Sequence, residues 1–324
     1  MSERYVQPLR LAIQWCFLGF MLWLGVRFYL FVQYIRSGGA TTFVPRPDGI
    51  EGFLPISGLL GLAAWFRGEG INPVHPAAVV VLVSVLLVSL LLRRSFCSWI
   101  CPVATISECT WKAGFKLFKR NPRLPRILDV SLRGIKYLLL AFFVYTIVIA
   151  MPVPALRNFI LSDYHAVADV RLLDFFLHIS PLALGVLLFL LLISIPLKNP
   201  FCRYLCPYGA LLGLMAHLSP VRVTRDRDRC VSCGICSQVC PTYIDVMRNK
   251  SVSSPECIGC WRCVSHCRFN QALSMRVAGR YLIPGILFAA LVVMIFWGGA
   301  LVGKATGTWH TVLQVDDYRR LLGH

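Results

Sequence analysis

The chain has 324 residues, 57% of them apolar and 15% charged, against roughly 45–50% and about 25% in soluble domains. Together with a mean hydropathy of +0.66, this excludes an ordinary soluble enzyme, and it excludes a disordered linker, which would have too little apolar surface to form a core. The net charge of +18 raises nucleic-acid binding, but the basic residues flank apolar runs and do not share a face with base-stacking aromatics, so no nucleic-acid partner is expected.

A helix that crosses a bilayer needs about 20 apolar residues, because its backbone polar groups must be satisfied within the segment. Five stretches fit: Leu11 to Ile35, Asn72 to Leu92, Tyr137 to Leu156, Ile179 to Leu197 and Tyr281 to Gly303. The first begins like a signal peptide but is too long and lacks a small-residue cleavage site, so it is expected to stay as an anchor. Residues 46–55 read as a loop leading into a re-entrant or interfacial helix that ends near Trp65. Residues 103–120 read as an interfacial helix, with Trp111, Phe115 and Phe118 on one stripe and Lys112, Lys116 and Lys119 on the next. Lys and Arg number ten in residues 93–136 and twelve in 198–280, but two in 37–71 and two in 157–178. By the positive-inside rule the N-terminus and the rich segments are cytoplasmic and the C-terminus is extracytoplasmic.

Twelve of the 14 cysteines fall in four tight groups, the spacing of metal ligands and not of a disulfide scaffold. Cys230, Cys233, Cys236 and Cys240 form one run, and Cys257, Cys260, Cys263 and Cys267 repeat its spacing. In two-cluster ferredoxins three closely spaced cysteines hold one cubane and the fourth reaches the other. The sets are therefore crossed: Cys230, Cys233, Cys236 and Cys267 for one [4Fe-4S] cluster, Cys257, Cys260, Cys263 and Cys240 for the second. Structural zinc sites use two separated pairs, so zinc is the weaker reading. Arg268 stands where proline follows the last cysteine of the first run, and its charge should favour the reduced form of the adjacent cluster. A second repeat, offset by 105 residues, pairs Phe96-Cys-Ser-Trp-Ile-Cys-Pro102 with Phe201-Cys-Arg-Tyr-Leu-Cys-Pro207. Its thiols, Cys97, Cys101, Cys202 and Cys206, could ligate a metal or third cluster, act as redox dithiols, or mark helix ends as buried thiols.

From about Leu82 to Ala272 these motifs, in this order, resemble the polyferredoxin-like membrane proteins of quinol-oxidising chains, of the NapH and NosR types. The resemblance implies a multi-pass protein of the bacterial cytoplasmic (inner) membrane that passes electrons from the membrane quinone pool to a redox protein partner. The expected fold is an all-α membrane bundle of about five transmembrane helices with a small α+β ferredoxin-like two-cluster insert. Residues 1–222 would form the membrane domain with four spans, 223–277 the cytoplasmic dicluster domain, and 278–324 the fifth helix and a short extracytoplasmic tail. The chain lacks the large flavin-binding region of NosR-type proteins. CcoG-type copper-handling reductases look similar around the cysteine pairs, which gives an alternative function as an accessory reductase in metal-centre assembly. Expected cofactors are two [4Fe-4S] clusters and a possible third metal centre, with quinol as substrate. Quinol oxidation releases two protons and needs a nearby base; Asp48, Glu51 and His75 are the candidates. His75 and His178 are the one pair placed for a haem, though neither sits well inside a span.

Overall fold

A computed structural model describes residues 3–269 and 271–322. Among the described residues three helices are long and apolar enough to cross a membrane: Glu3–Arg36, Arg126–Ala150 and Gly285–Ala305. The helices Ala168–Leu177 and Pro181–Ile193 meet at an 80° bend and make a fourth if they are taken as one broken span.

Two of the five expected spans are therefore shorter than the hydropathy suggests. Asn72–Leu92 contains the 17-residue helix Pro76–Leu92. The Asn72 carboxamide oxygen accepts the N–H groups of Val74 (2.9 Å) and His75 (3.1 Å), fixing a turn before Pro76. At the other end Arg93 takes a left-handed φ of 65°. Seventeen residues reach about 26 Å at 1.5 Å each, less than the hydrocarbon thickness of about 30 Å. Ile179–Leu197 yields only Pro181–Ile193, 13 residues. Pro181 fixes its start, and Pro196 lacks the N–H that a continuing helix needs.

The chain divides into two compact units. The first comprises residues Met1–Leu18, Val85–Leu140 and Leu187–Ile295. It holds an antiparallel sheet in the order β1 (Val221–Arg225), β2 (Leu273–Val277), β3 (Tyr281–Leu282), with Val223 opposite Met275. Alternation buries Val221 and Val223 and turns Arg222 outward, the period of a half-buried strand. Trp99 and Trp261 both pack on Phe288, with ring centroids 5.8 and 5.6 Å away. The expected interfacial helix is Pro102–Phe118. Its aromatic stripe divides, Trp111 being buried and Phe115 and Phe118 exposed. Gly114 on this helix lies so close to the Ile195 carbonyl that a Cβ would collide with it.

The second unit comprises Gly19–Ser84, Ala141–Val186 and Phe296–His324. Its helix Pro55–Phe66 occupies the segment expected to be re-entrant or interfacial. One apolar core gathers Leu60, Ala63, Ala64, Ile147, Leu156 and Ile160. Another joins Phe28, Phe31, Val32, Ile50 and Val170 to Tyr318 of the tail helix Val315–Leu322.

Candidate functional site

The two ferredoxin-type runs fold alike. Ser232 (φ 56°) and Gly234 (76°) flank Cys233, and at the equivalent places Gly259 (57°) and Trp261 (61°) flank Cys260. A one-turn helix follows each, Ile235–Gln238 carrying Cys236 and Arg262–Ser265 carrying Cys263. Left-handed residues alternating along a loop turn successive N–H groups toward one centre, the concave nest found at iron–sulfur and phosphate sites. A left-handed, β-substituted residue costs about 1–3 kcal/mol. Trp261, with its indole buried, persists there because Phe288 holds the ring.

Cys263 lies within electrostatic reach of Cys260, Cys240, Cys257 and Cys236, and Cys236 within reach of Cys230 and Cys233, so the two runs are neighbours in space and these contacts do not divide the eight thiols into two sets. Cys240, Cys257, Cys260 and Cys263 line one recess among Val223, Val246 and Val252. Cys233 is exposed, whereas Cys236, Cys240 and Cys260 are buried. Burial pushes the Cys260 thiol up to about 12. Among the described residues no three His, Cys, Asp or Glu side chains are drawn together tightly enough to hold a single metal ion. A four-iron cluster makes a different demand, one thiolate for each iron around a larger body. Soft thiols in apolar surroundings with nested loops suit that group in donor chemistry.

The second repeat is also structural. Cys101 and Cys206 are both extended N-cap residues, followed by Pro102 and Pro207 at the first helical positions of Pro102–Phe118 and Pro207–His217. Proline suits that position because the first N–H has no intrahelical acceptor. The Gly209 N–H donates to the Cys206 sulfur at 3.2 Å. Cys202 is within electrostatic reach of Cys101, Cys206 and Cys97, and Arg94 within reach of Cys97, Cys202 and Cys206. Burial pushes Cys101 up to about 12 and Cys202 well above the usual thiol range. Thiols held neutral are poor nucleophiles, whereas a metal deprotonates a coordinating thiol outright.

Arg94 ties this group to the dicluster segment through Glu256, at 3.4 Å. Glu256, next to Cys257 in sequence, also accepts a hydrogen bond from Lys136 Nζ at 2.6 Å. Asp129 takes a bidentate bond from Arg203, 2.8 Å to each oxygen. On the other side Arg10, fully buried, grips Glu108 with two bonds of 2.7 and 2.8 Å. Gln7, one turn before Arg10, donates to the Cys260 carbonyl at 3.0 Å.

Of the three proton-acceptor candidates, the structure brings together two. Glu51 and His75 are buried, with His75 Nδ1 3.8 Å from Glu51 Oε1. Asp48 is half exposed and pairs elsewhere, with Lys304 and His310. The partner of His75 is His165, not His178: their rings stand 4.8 Å apart, and His75 Nε2 donates to the His165 carbonyl at 2.8 Å. Sequence reasoning missed His165, Arg46 and Asp169. Arg46 binds both Asp169 (2.8 Å) and Glu51 (3.1 Å). The available signal was a scarcity: Arg46 is one of only two basic residues between residues 37 and 71.

A family model described as a 4Fe-4S binding domain matches residues 74–125 and 179–225, and one described as a 4Fe-4S dicluster domain matches 222–268. The chain is 40% identical to YccM of Escherichia coli (strain K12), an electron transport protein by name, over 97% of this chain and 89% of YccM. It is 27% identical to the ferredoxin-type protein NapH of the same organism, over 60% of this chain and 67% of NapH. It is 33% identical to the methylamine utilization ferredoxin-type protein MauN of Paracoccus denitrificans (strain Pd 1222), over 56% and 61%. No solved structure matches the chain significantly.

Proposed function

Because this chain belongs to the NapH-like polyferredoxins, membrane proteins of iron–sulfur electron transfer, we propose that it takes electrons from the membrane quinol pool and hands them to a redox protein partner. Cys230, Cys233, Cys236 and Cys267 hold one [4Fe-4S] cluster, and Cys257, Cys260, Cys263 and Cys240 the other. The clusters supply one-electron steps between a two-electron donor and the acceptor. The observation that carries this reading is the pair of nested loops, with left-handed residues at the same two places around Cys233 and Cys260. The chain's own residues set the surroundings: Trp261 and the valines keep water from one recess, and Arg10 and Arg262 place positive charge beside Cys260. By the positive-inside rule the dicluster segment faces the cytoplasm of the cell whose inner membrane holds the chain.

Cys97, Cys101, Cys202 and Cys206 hold a third centre in this reading, supported by their mutual proximity and by Arg94 as their counter-charge. The same four thiols favour a second reading, reduction of a soft metal such as copper during assembly of another protein's centre. Anaerobic purification in detergent, with iron and sulfide analysis and EPR before and after a quinol analogue, tests both. About eight irons support two cubanes and about twelve a third. Bleaching of the clusters by quinol supports the donor; clusters that dithionite reduces and quinol does not would overturn it.

A further inference from the structure

In the second unit, residues 21–29 of helix Val6–Arg36, residues 50–54 and residues 169–177 line an open cavity of ≈ 450 Å³. That is the size of a small-molecule site, about 300–1,000 Å³. Leu22 and Phe176 at its wall are 64% and 60% exposed. The way in is therefore through apolar faces of helices, an entrance suited to a ligand dissolved in lipid.

Apolar walls alone would suit an acyl chain, but this wall carries a buried charge. Asp169 lines the cavity. Its carboxylate accepts from Arg46 (2.8 and 3.2 Å), from the Tyr318 hydroxyl (3.1 Å) and from the Val170 N–H (2.9 Å). A buried charge is costly unless paired; Arg46 and Tyr318 meet it at Oδ2, while Oδ1 takes only the Val170 N–H among the described residues and keeps a lone pair for a donor, which a hydroxyl can supply and a hydrocarbon chain cannot. Behind it, Arg46 is shared with Glu51, whose other oxygen accepts the Ala77 N–H at 2.9 Å. His75 Nδ1, facing Glu51, is buried without a hydrogen-bond partner among the described residues. Because Nε2 donates to the His165 carbonyl, Nδ1 is the ring nitrogen left to share a proton with Glu51, 3.8 Å away.

We infer that this cavity binds the head group of a membrane hydroquinone, with Asp169 accepting a hydrogen bond, and then the proton, from one of its hydroxyls. The inference rests on the quinol reading above and gives it a location. In the step both O–H bonds break and the ring becomes a quinone. One proton goes to Asp169 and the other to the Glu51 and His75 pair. The two electrons would be taken singly, one by each of the [4Fe-4S] clusters that the cysteine runs 230–240 and 257–267 would hold in the proposed function.

The test uses the full chain in detergent with a decyl-tailed benzoquinol as probe. Gly25 lines the cavity, and a Cβ there meets nothing within 4 Å, so Gly25→Trp fills the space without a backbone collision. Gly25→Trp should weaken probe binding at least about tenfold, the equivalent of 1.4 kcal/mol. Asp169→Asn should retain binding and slow quinol-driven cluster bleaching by about 100-fold or more, the usual loss of a general base. Dithionite should reduce the clusters of both variants as in the wild type, which establishes that they are folded and loaded. Wild-type binding and bleaching in Gly25→Trp would overturn the location while leaving the quinol donor standing. Binding that Gly25→Trp abolishes, in a wild type whose clusters quinol never bleaches, would support the site and sink the donor. A co-purified phospholipid that the probe cannot displace from the wild type would overturn the inference.

Discussion

Replacing Glu108 with Gln removes the anion that holds Arg10. Arg10 is fully buried and spends both terminal nitrogens on Glu108, with Nη1 also donating to the Ser98 carbonyl at 3.1 Å. Lys112 and Arg262 also bind Glu108, at 2.6 and 3.3 Å. Lys112 is a third exposed, and an i,i+4 pair of that kind contributes about 0.2–0.5 kcal/mol, so the loss falls mainly on Arg10. Removing one partner of a buried pair costs about 3–5 kcal/mol, because the other charge is left uncompensated. Gln preserves the shape and one acceptor oxygen, which puts the expectation near about 3 kcal/mol. Although burial works to raise it, hydrogen bonding and charge from Arg10 hold the Glu108 carboxyl well below its ordinary value of 4.5. Its stabilisation is thus complete above that value and lost as pH falls toward the depressed one, so the deficit of Glu108→Gln should be constant between about pH 6 and 8. Denaturant unfolding in detergent measures it. Arg10→Met/Glu108→Leu, which removes both charges, should recover most of the deficit. A double variant as unstable as Glu108→Gln, or a Glu108→Gln deficit below about 0.5 kcal/mol, would refute this account. Freed from Glu108, the Arg10 charge should also favour the reduced cluster at Cys260 and raise its potential, read by redox titration.

Serine at Cys233 and Cys236 should lower the iron content by about four per chain and leave the remaining EPR signal unchanged. Serine at Cys97 and Cys202 should do so only if those thiols hold a third cluster. Burial, then the neighbouring His75, pushes His165 down to about 4 from 6.5. The unfolded chain binds that proton first, so stability should fall between pH 6.5 and 4 by up to about 3 kcal/mol. His165→Gln should flatten that limb of the thermal-stability profile, and an unchanged slope would show that other groups set it. Gly114→Ala must displace the Ile195 carbonyl. It should destabilise by about 1–3 kcal/mol, the usual cost of overpacking, against a gain of about 1 kcal/mol in helix propensity.

What could be read from the sequence was what local chemistry dictates. The two cysteine runs share a spacing, and they share left-handed residues at Ser232 and Gly259 and at Gly234 and Trp261. The Cys-Pro steps begin helices as proline at a first helical position should. Hydropathy overstated two spans because it does not register a turn: Asn72 and the prolines at 76, 181 and 196 cut helices inside apolar runs. The buried group of Arg46, Glu51, His75 and Asp169 was only half visible. Glu51 stood out as a carboxylate in a sparse loop, but Asp169 is 123 residues from Arg46 and 149 from Tyr318, distances at which no periodicity operates. Asp48, closer in sequence to Glu51, pairs instead with Lys304 and His310.

The position of Glu256 bears on how relatives of this chain can be recombined. It belongs by sequence to the dicluster segment, yet its charge is matched by Arg94 and Lys136 on other segments. A chimera that kept residues 1–222 of this chain and took its ferredoxin run from a homologue would keep both cations whether or not the graft brought a carboxylate to meet them. The boundary between the segments is thus continuous in charge although it is a seam in sequence, and a graft that ignores residue 256 should fail to fold before it fails to bind iron.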